Sequence, residues 1–174
     1  MPHWHNKYFK HGLIAVGITM LPLAGCSPAF INGSSAFGSS RLDVPEIPDS
    51  GNYTTDRALS EARNHFANND FGYSAALYKR VVELSPKDPG GYIGLGASYD
   101  RLRRFDLSDR VYKALYRISG PNVQYYNNLG YSHMLRGDLK TALKNFRKAQ
   151  KLDPGNVTVF NNLQILANAA DARA

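Results

Sequence analysis

The chain has 174 residues, a length that fits one compact domain with additional tails. Its 43% hydrophobic and 20% charged residues are typical of a globular protein that buries a core. The net charge of +7 is modest and spread along the chain, which argues against a nucleic-acid partner. The only cysteine, Cys26, excludes an internal disulfide and a cysteine cluster around a metal.

The first segment has the three parts of a secretory signal peptide. Residues 1–11 are polar and include Lys7 and Lys10, residues 13–23 are an apolar run, and two small residues precede Cys26. The apolar run is shorter than the roughly 20 residues that a membrane-spanning helix needs. We therefore predict that residues 1–25 are a signal peptide that is removed. The alternative to a modified Cys26 is that the signal is an ordinary secretory one and that the cysteine is unrelated to it.

The tetrapeptide that ends at Cys26 is Leu-Ala-Gly-Cys, and it resembles the bacterial lipobox. The resemblance implies a diacylglyceryl group on the Cys26 sulfur, cleavage before Cys26, and acylation of the new amino terminus with a fatty acid such as palmitate. Two or three acyl chains hold a protein stably on a membrane. Ser27, in place of the Asp that signals inner-membrane retention, implies the outer membrane. We expect a lipid-anchored protein of the cell envelope that faces the periplasm.

Residues 26–54 are predicted to be the lipidated cysteine and a flexible linker. The segment is rich in Ser, Gly, Pro and Asn, and Pro28, Pro45 and Pro48 interrupt any regular periodicity. A flexible chain of this length has a root-mean-square span of roughly 30 Å. The alternative is that residues 42–47 form a short extended contact with a partner.

A repeat with a period of about 34 residues runs through the remainder of the chain. Gly96 and Gly130 stand one period apart, as do Tyr92 and Tyr126. The order of these residues resembles the tetratricopeptide repeat, W-x2-L-G-x2-Y followed by A-x3-F and Pro. The resemblance implies an all-α solenoid in which each unit is a pair of antiparallel helices. A small residue at 62, 96 and 130 is expected to let the two helices of a unit approach closely.

The period divides the chain into three units and a cap. Residues 55–88 match the repeat loosely, residues 89–122 match it well, and residues 123–156 match it best. Residues 157–174 begin a fourth unit, and we predict a capping helix and a tail, with Leu163, Ile165 and Leu166 facing the third unit. Three such units are about the minimum that buries a continuous core.

In this repeat family the first helix of each unit lines a concave groove. The resemblance implies a partner-binding groove formed by Arg63, Phe66, Ile93, Ala97, Asp100, Arg101, Asn127, Asn128, Tyr131, Met134, Asn161 and Asn162. Asn128 and Asn162 share one repeat position, so one hypothesis is a ladder that hydrogen-bonds an extended peptide backbone. The alternative is that these asparagines serve turns and helix caps. Only Arg63 and Arg101 are basic, which argues against capture of a free carboxyl terminus.

Basic residues also cluster outside this groove. Four lysines, at 140, 144, 148 and 151, fall on one face of the last predicted repeat helix, beside Arg147. Arg101, Arg103 and Arg104 crowd the turn of the second unit. Such runs are typical of a solvated convex face; the alternative is docking to an acidic partner or to anionic lipid.

The chain lacks the sequence features of an enzyme. His65 and His133 occupy the same repeat position, where the pattern has Tyr, so we interpret them as packing residues. No nucleophile is paired with a base, and no glycine-rich phosphate loop follows a strand. We expect no catalytic residue, no metal site, no cofactor and no small-molecule substrate.

The best-matched unit carries a finer resemblance. Residues 126–139 read YNNLGYSHMLRGDL, and Asp153-Pro154 and a second Asn-Asn-Leu at 161–163 follow. Together with the leader, this stretch resembles the Tad (Flp) pilus assembly lipoproteins of the TadD type, over roughly residues 89–165. The resemblance implies a protein that helps to assemble or place the secretin channel of the pilus. The alternative is a general periplasmic adaptor for cell-wall enzymes or an outer-membrane assembly complex.

Overall fold

The computed structural model describes residues 44–47 and 52–172, and within them the regular elements are all helices. The prediction of an all-α fold is confirmed. The leader, Cys26 and most of the expected linker lie outside the described residues. The helices are α1 (Thr55–Ala67), α2 (Phe71–Leu84), α3 (Pro89–Arg101), α4 (Phe105–Ser119), α5 (Val123–Leu135), α6 (Leu139–Leu152) and α7 (Val157–Asp171).

The first helix of each unit starts at a polar N-cap residue. Thr54, Asp88, Asn122 and Asn156 stand one repeat period apart, and each side chain accepts a hydrogen bond from a backbone N–H of the first helical turn. The donor–acceptor distances lie between 2.8 and 3.3 Å. Such a cap stabilises a helix by about 1 kcal/mol, so local sequence sets where these helices begin.

The turn inside each unit passes through a left-handed backbone conformation. Asn69 and Arg103 each have φ of 59°, and Gly137 has φ of 84°. The three residues share one repeat position, two residues before the second helix of the unit. Glycine and asparagine tolerate this conformation, whereas arginine pays a steric cost there. The identical turn gives all three units the same antiparallel pairing.

Small residues bring the paired helices together, as the sequence predicts. A Cβ added to Gly96 would lie 2.7 Å from Cε1 of Tyr112, and one added to Gly130 would lie 2.6 Å from Cδ1 of Phe146. Ala62 occupies the same position in the first unit and is fully buried. The aromatic side chains therefore pack directly on the backbone of the facing helix.

The hydrophobic core has two separate clusters. The first, within α1–α4, is formed by Ala62, Phe71, Ala75, Leu77, Tyr78, Leu95 and Leu102. The second, within α6 and α7, is formed by Ala142, Phe146 and Leu166. Between them the second and third units meet through buried polar side chains.

The structure differs from the predicted linker at its carboxyl-terminal end. Val44, Ile47 and Tyr53 pack against the first hydrophobic cluster. Residues 44–47 lie beside the exposed side of α2, close to Lys79 and Arg80. These apolar side chains therefore contact the helices of this chain, whereas we expected a free linker or a contact with a partner.

The last helix, α7, closes the stack. Val159 and Leu166 are buried, and Leu163 packs against the second cluster. The prediction that Ile165 faces the third unit is wrong, because its side chain is 50% exposed. It is rotated by about 100° from its neighbour Leu166 around the helix axis. Among the described residues, no helix has the length and hydropathy needed to cross a membrane.

Candidate peptide-binding groove

The first helices of all three units contribute to one open depression, which we call the groove. Helix α1 provides Leu59 and Arg63, α3 provides Ile93 and Gly94, and α5 provides Gln124. Tyr78 of α2 and residues 88–90 complete its lining, and its volume is about 420 Å³. The structure therefore brings together Arg63 and Ile93, which the sequence places in the groove on different units.

The sequence-based prediction of the groove missed Tyr78, because it included only the first helix of each unit and Tyr78 lies on α2. It also missed Gln124, although this residue lies on the first helix of the third unit. A Cβ added to Gly94 would lie 2.1 Å from Cε1 and Cζ of Tyr78, so the ring lies directly on the α3 backbone. Burial raises the pKa of Tyr78, and the positive charge of Arg63 opposes that shift. The sequence does contain a signal for this contact. Gly94 stands at the repeat position where the later units have Asn128 and Asn162, and a residue without a side chain there leaves room for a ring.

The two asparagines of the predicted ladder have different surroundings. Asn162 Nδ2 donates to Oδ1 of Asn127 at 2.9 Å, which links α7 to α5. Asn127 is 9% exposed, whereas the neighbouring Asn161 is exposed. Asn128 has a buried Nδ2 that finds no acceptor among the described residues. The Asn162 side chain is therefore engaged within the fold whereas the Asn128 amide nitrogen is not, so the two rungs are not equivalent in the unbound chain, and the ladder stays a prediction.

Asp100 lies in the interior, and the prediction that it lines the groove is wrong. Its side chain is 1% exposed and accepts hydrogen bonds from Tyr112 Oη at 2.8 Å and Ser132 Oγ at 2.7 Å. Burial raises the pKa of Asp100, while these hydrogen bonds and the charge of Arg136 oppose the shift. The physical reason is that α3 turns this position toward α4 and α5, so the carboxylate joins the second unit to the third.

Arg136, the C-cap residue of α5, extends this network toward the surface. Its guanidinium donates to Ser132 Oγ at 2.8 Å and to Asp109 Oδ2 at 2.9 Å, and lies 3.9 Å from Asp100. It also lies over the ring of Phe105, 4.8 Å from the ring centroid. The contact between the second and third units therefore combines this polar network with the ring contact of Tyr116 and Tyr125, whose centroids lie 5.4 Å apart.

Several other predicted groove residues stabilise the fold. Phe66 packs edge-on against Phe71, with ring centroids 5.2 Å apart. Arg101 lies 4.2 Å from the centroid of the same ring and donates to Asn69 Oδ1 at 3.3 Å. Tyr131 and Met134 pack against the second hydrophobic cluster, and Ala97 is half-buried. The groove is therefore concentrated between α1, α3 and the start of α5.

The two histidines outside the leader make equivalent structural contacts. His65 Nδ1 lies 2.9 Å from Asp70, and His133 Nδ1 lies 3.3 Å from Asp138. Each aspartate is the residue before the second helix of its unit. His65 also stacks on Tyr73, with ring centroids 5.2 Å apart. Within the part of the chain that the structure describes, no group of three His, Cys, Asp or Glu side chains is placed to hold a metal.

Comparison with known proteins agrees with this architecture. The family model described as tetratricopeptide repeat matches residues 123–156. The heat shock protein STI1 of Saccharomyces cerevisiae is 26% identical over 122 residues, which are 69% of this chain and 20% of STI1. The chain thus spans about a fifth of the length of the curated relatives that it matches.

Two solved structures show the same arrangement of helices. The first TPR domain of human RPAP3 has a TM-score of 0.59 at 16% identity and covers 68% of this chain and 93% of its own. The Yersinia enterocolitica type III secretion chaperone SycD, in complex with a peptide of the translocator YopD, has a TM-score of 0.55 at 16% identity. It covers 67% of this chain and 89% of its own. The described helices have the all-α tetratricopeptide-repeat fold, and residues 123–156 carry the sequence pattern of that family.

Proposed function

We propose that this protein is a scaffold that binds other proteins and that its groove holds an extended segment of a partner. The observation that carries the proposal is the depression to which three successive units contribute side chains. Leu59 and Ile93 offer apolar contact, Arg63 offers a positive charge, and Gln124 offers both a donor and an acceptor. Asp88 lines the same depression and offsets the charge of Arg63, so the mixture suits a peptide with an apolar side chain and uncharged polar groups beside it. The protein acts by binding and catalyses no reaction.

The SycD complex supports this proposal, because a chaperone of the same fold is bound there to a peptide of a translocator. The depression is open to solvent and has a volume of about 420 Å³. A segment of only a few residues fits it. We therefore expect an interaction of moderate affinity that is strengthened by contacts outside the groove.

A photo-crosslinking amino acid at position 93 tests the proposal. It is introduced into the full chain in the native cells, and a matched probe at Lys113, on the exposed side of α4 in the same unit, is the control. We expect a specific adduct from position 93 and not from position 113. Arg63→Ala should weaken that adduct, whereas Arg110→Ala, an exposed charge on α4, should leave it unchanged. Adducts from position 113 alone would contradict binding in the groove.

We further propose that acyl chains on Cys26 anchor the scaffold at the periplasmic face of the outer membrane. Support comes from the Leu-Ala-Gly-Cys sequence and from Ser27. The mass of the mature chain should include a diacylglyceryl group and an amino-terminal acyl chain. Cys26→Ser should remove that mass and release the protein from the membrane fraction. A mature chain without acyl mass would contradict this anchoring.

Within that location, we propose assembly of a Tad pilus secretin as the specific role, on the resemblance of residues 89–165 to lipoproteins of the TadD type. Genes for a pilin, a secretin and a secretion ATPase beside this one would support it. Deletion should abolish secretin multimers, and the chain with Lys113→Ala should restore them. The alternative is a general periplasmic adaptor, for which the adduct at position 93 would contain a cell-wall enzyme or an outer-membrane assembly component.

A further inference from the structure

Helix α6 carries a continuous basic face. Its five bases, which we call the basic face, are Lys140, Lys144, Arg147, Lys148 and Lys151. All five are exposed, and α6 contains no Asp or Glu. None of the five takes part in an ion pair among the described residues. The positive charge of this face is therefore not neutralised by the fold.

The basic face points directly away from the core. Successive helical residues are rotated by about 100°, so the five bases fall within an arc of about 100°. The buried residues of α6, among them Ala142, Phe146 and Ala149, lie on the opposite side of the helix. The first and last bases are separated along the axis by roughly 16 Å, at about 1.5 Å per residue. The face is thus a straight ridge on the outside of the solenoid.

An exposed apolar tip adjoins one end of this ridge. Leu152 follows the last base and is 53% exposed, and Val157 and Phe160 at the start of α7 are 70% and 55% exposed. Lys148, Lys151 and Leu152 line one shallow depression together with Tyr126, and Lys148 Nζ lies 4.8 Å from the centroid of that ring. We call Leu152, the exposed apolar residue of this depression, the apolar tip.

We propose that the basic face and the apolar tip dock on the surface of an anionic lipid bilayer. Charge complementarity defines the partner, since lysines near a negatively charged membrane each contribute favourably to binding. The five bases lie along one side of a straight helix, so they can reach a planar surface together. Four of the five bases are lysines and one is an arginine, and both residue types are attracted to the surface of an anionic membrane. Leu152, which lines a depression with Lys148 and Lys151, enters the boundary between headgroups and acyl chains.

Lysine footprinting on the full chain tests this docking. It measures the accessibility of each lysine separately, so its result does not depend on whether acyl chains also attach the protein to the vesicle. The protein is reconstituted with vesicles of phosphatidylcholine alone, or of phosphatidylcholine and phosphatidylglycerol in equal parts. An amine-reactive reagent is added, and modification of each lysine is measured by mass spectrometry. Lys79, Lys87 and Lys113 are exposed lysines outside the basic face and serve as internal controls.

We expect phosphatidylglycerol to slow the modification of Lys140, Lys144 and Lys151 at least fivefold and to leave the three control lysines unchanged. Replacement of Lys140, Lys144 and Lys151 together by Gln should abolish the lipid-dependent protection of Lys148. Replacement of the three control lysines by Gln should preserve it. Equal protection of both sets, or protection without phosphatidylglycerol, would overturn the proposal. Protection by soluble polyglutamate but not by anionic vesicles would also overturn it, in favour of an acidic protein partner.

Discussion

Replacing Asp100 by Ala is expected to destabilise the protein by about 3 kcal/mol. In the folded chain the carboxylate accepts hydrogen bonds from Tyr112 at 2.8 Å and Ser132 at 2.7 Å, and its side chain is 1% exposed. Alanine leaves both hydroxyl groups buried without this acceptor, and each such loss costs about 1–3 kcal/mol. Relief of the carboxylate's desolvation, which the raised pKa of Asp100 reflects, offsets part of that loss.

The free energy of unfolding is measured by urea denaturation with far-UV circular dichroism. Asp109→Ala is the matched control, because it removes an acceptor of the same Arg136 from a side chain that is 53% exposed. Exposed ion pairs contribute about 0–1 kcal/mol, so this variant should unfold near the wild-type midpoint. If Asp100→Ala lowered the free energy of unfolding no more than Asp109→Ala does, the role assigned to the buried carboxylate would be refuted.

Four further predictions concern stability. Because burial raises the pKa of Asp100, the proton-linked part of its contribution is fully present below the unfolded-state pKa and is lost as the pH rises through the folded-state pKa, while the hydrogen bonds from Tyr112 and Ser132 remain. Wild type should therefore lose stability over that range relative to Asp100→Asn, and parallel pH profiles would contradict this. Gly94→Ala places a Cβ 2.1 Å from a tyrosine ring and should cost about 2 kcal/mol in thermal unfolding, whereas Gly155→Ala, whose Cβ would meet no atom closer than 3.9 Å, should be nearly neutral. Arg103→Gly relieves a φ of 59° and should raise stability by about 1 kcal/mol; a lower melting temperature would show that the turn is not strained. Asn162→Ala removes the hydrogen bond to α5 and should accelerate amide exchange in α7 about fivefold, from a loss of about 1 kcal/mol, with exchange in α1 as the unaffected reference.

The helices were predictable because their signals are local and periodic. Thr54, Asp88, Asn122 and Asn156 cap four helices at intervals of one repeat unit, and Gly96 and Gly130 mark close helix contacts. Capping and steric exclusion depend on the residue itself and its immediate neighbours. A repeating sequence therefore reports them at the same position in each unit.

The groove was less predictable because repeat position alone does not determine what a side chain contacts. Asp100 and Met134 share a repeat position, yet one joins a polar network and the other packs on the second hydrophobic cluster. Asn162 is engaged by Asn127, although its own position predicts a free groove residue. These outcomes depend on side chains from neighbouring units, and no single unit contains that information.

The end of the predicted linker shows the same limit. Val44 and Ile47 lie in a stretch with prolines and no periodicity, which favours an irregular chain. An irregular chain still packs where its apolar side chains meet exposed apolar surface, and these two lie against the first hydrophobic cluster. The composition of this segment correctly predicted that residues 44–47 are not helical. It could not predict that Val44 and Ile47 pack against the first hydrophobic cluster.

Methyl NMR of the full chain tests binding in the groove most directly. The partner segment captured at position 93 is synthesised and titrated, and the methyl signals of Leu59 and Ile93 are followed. Leu84, a partly exposed leucine at the end of α2, serves as the reference. We predict saturable shifts of Leu59 and Ile93 with Leu84 unchanged. Shifts confined to Leu84, with Leu59 and Ile93 unmoved at saturation, would contradict the groove as the binding site.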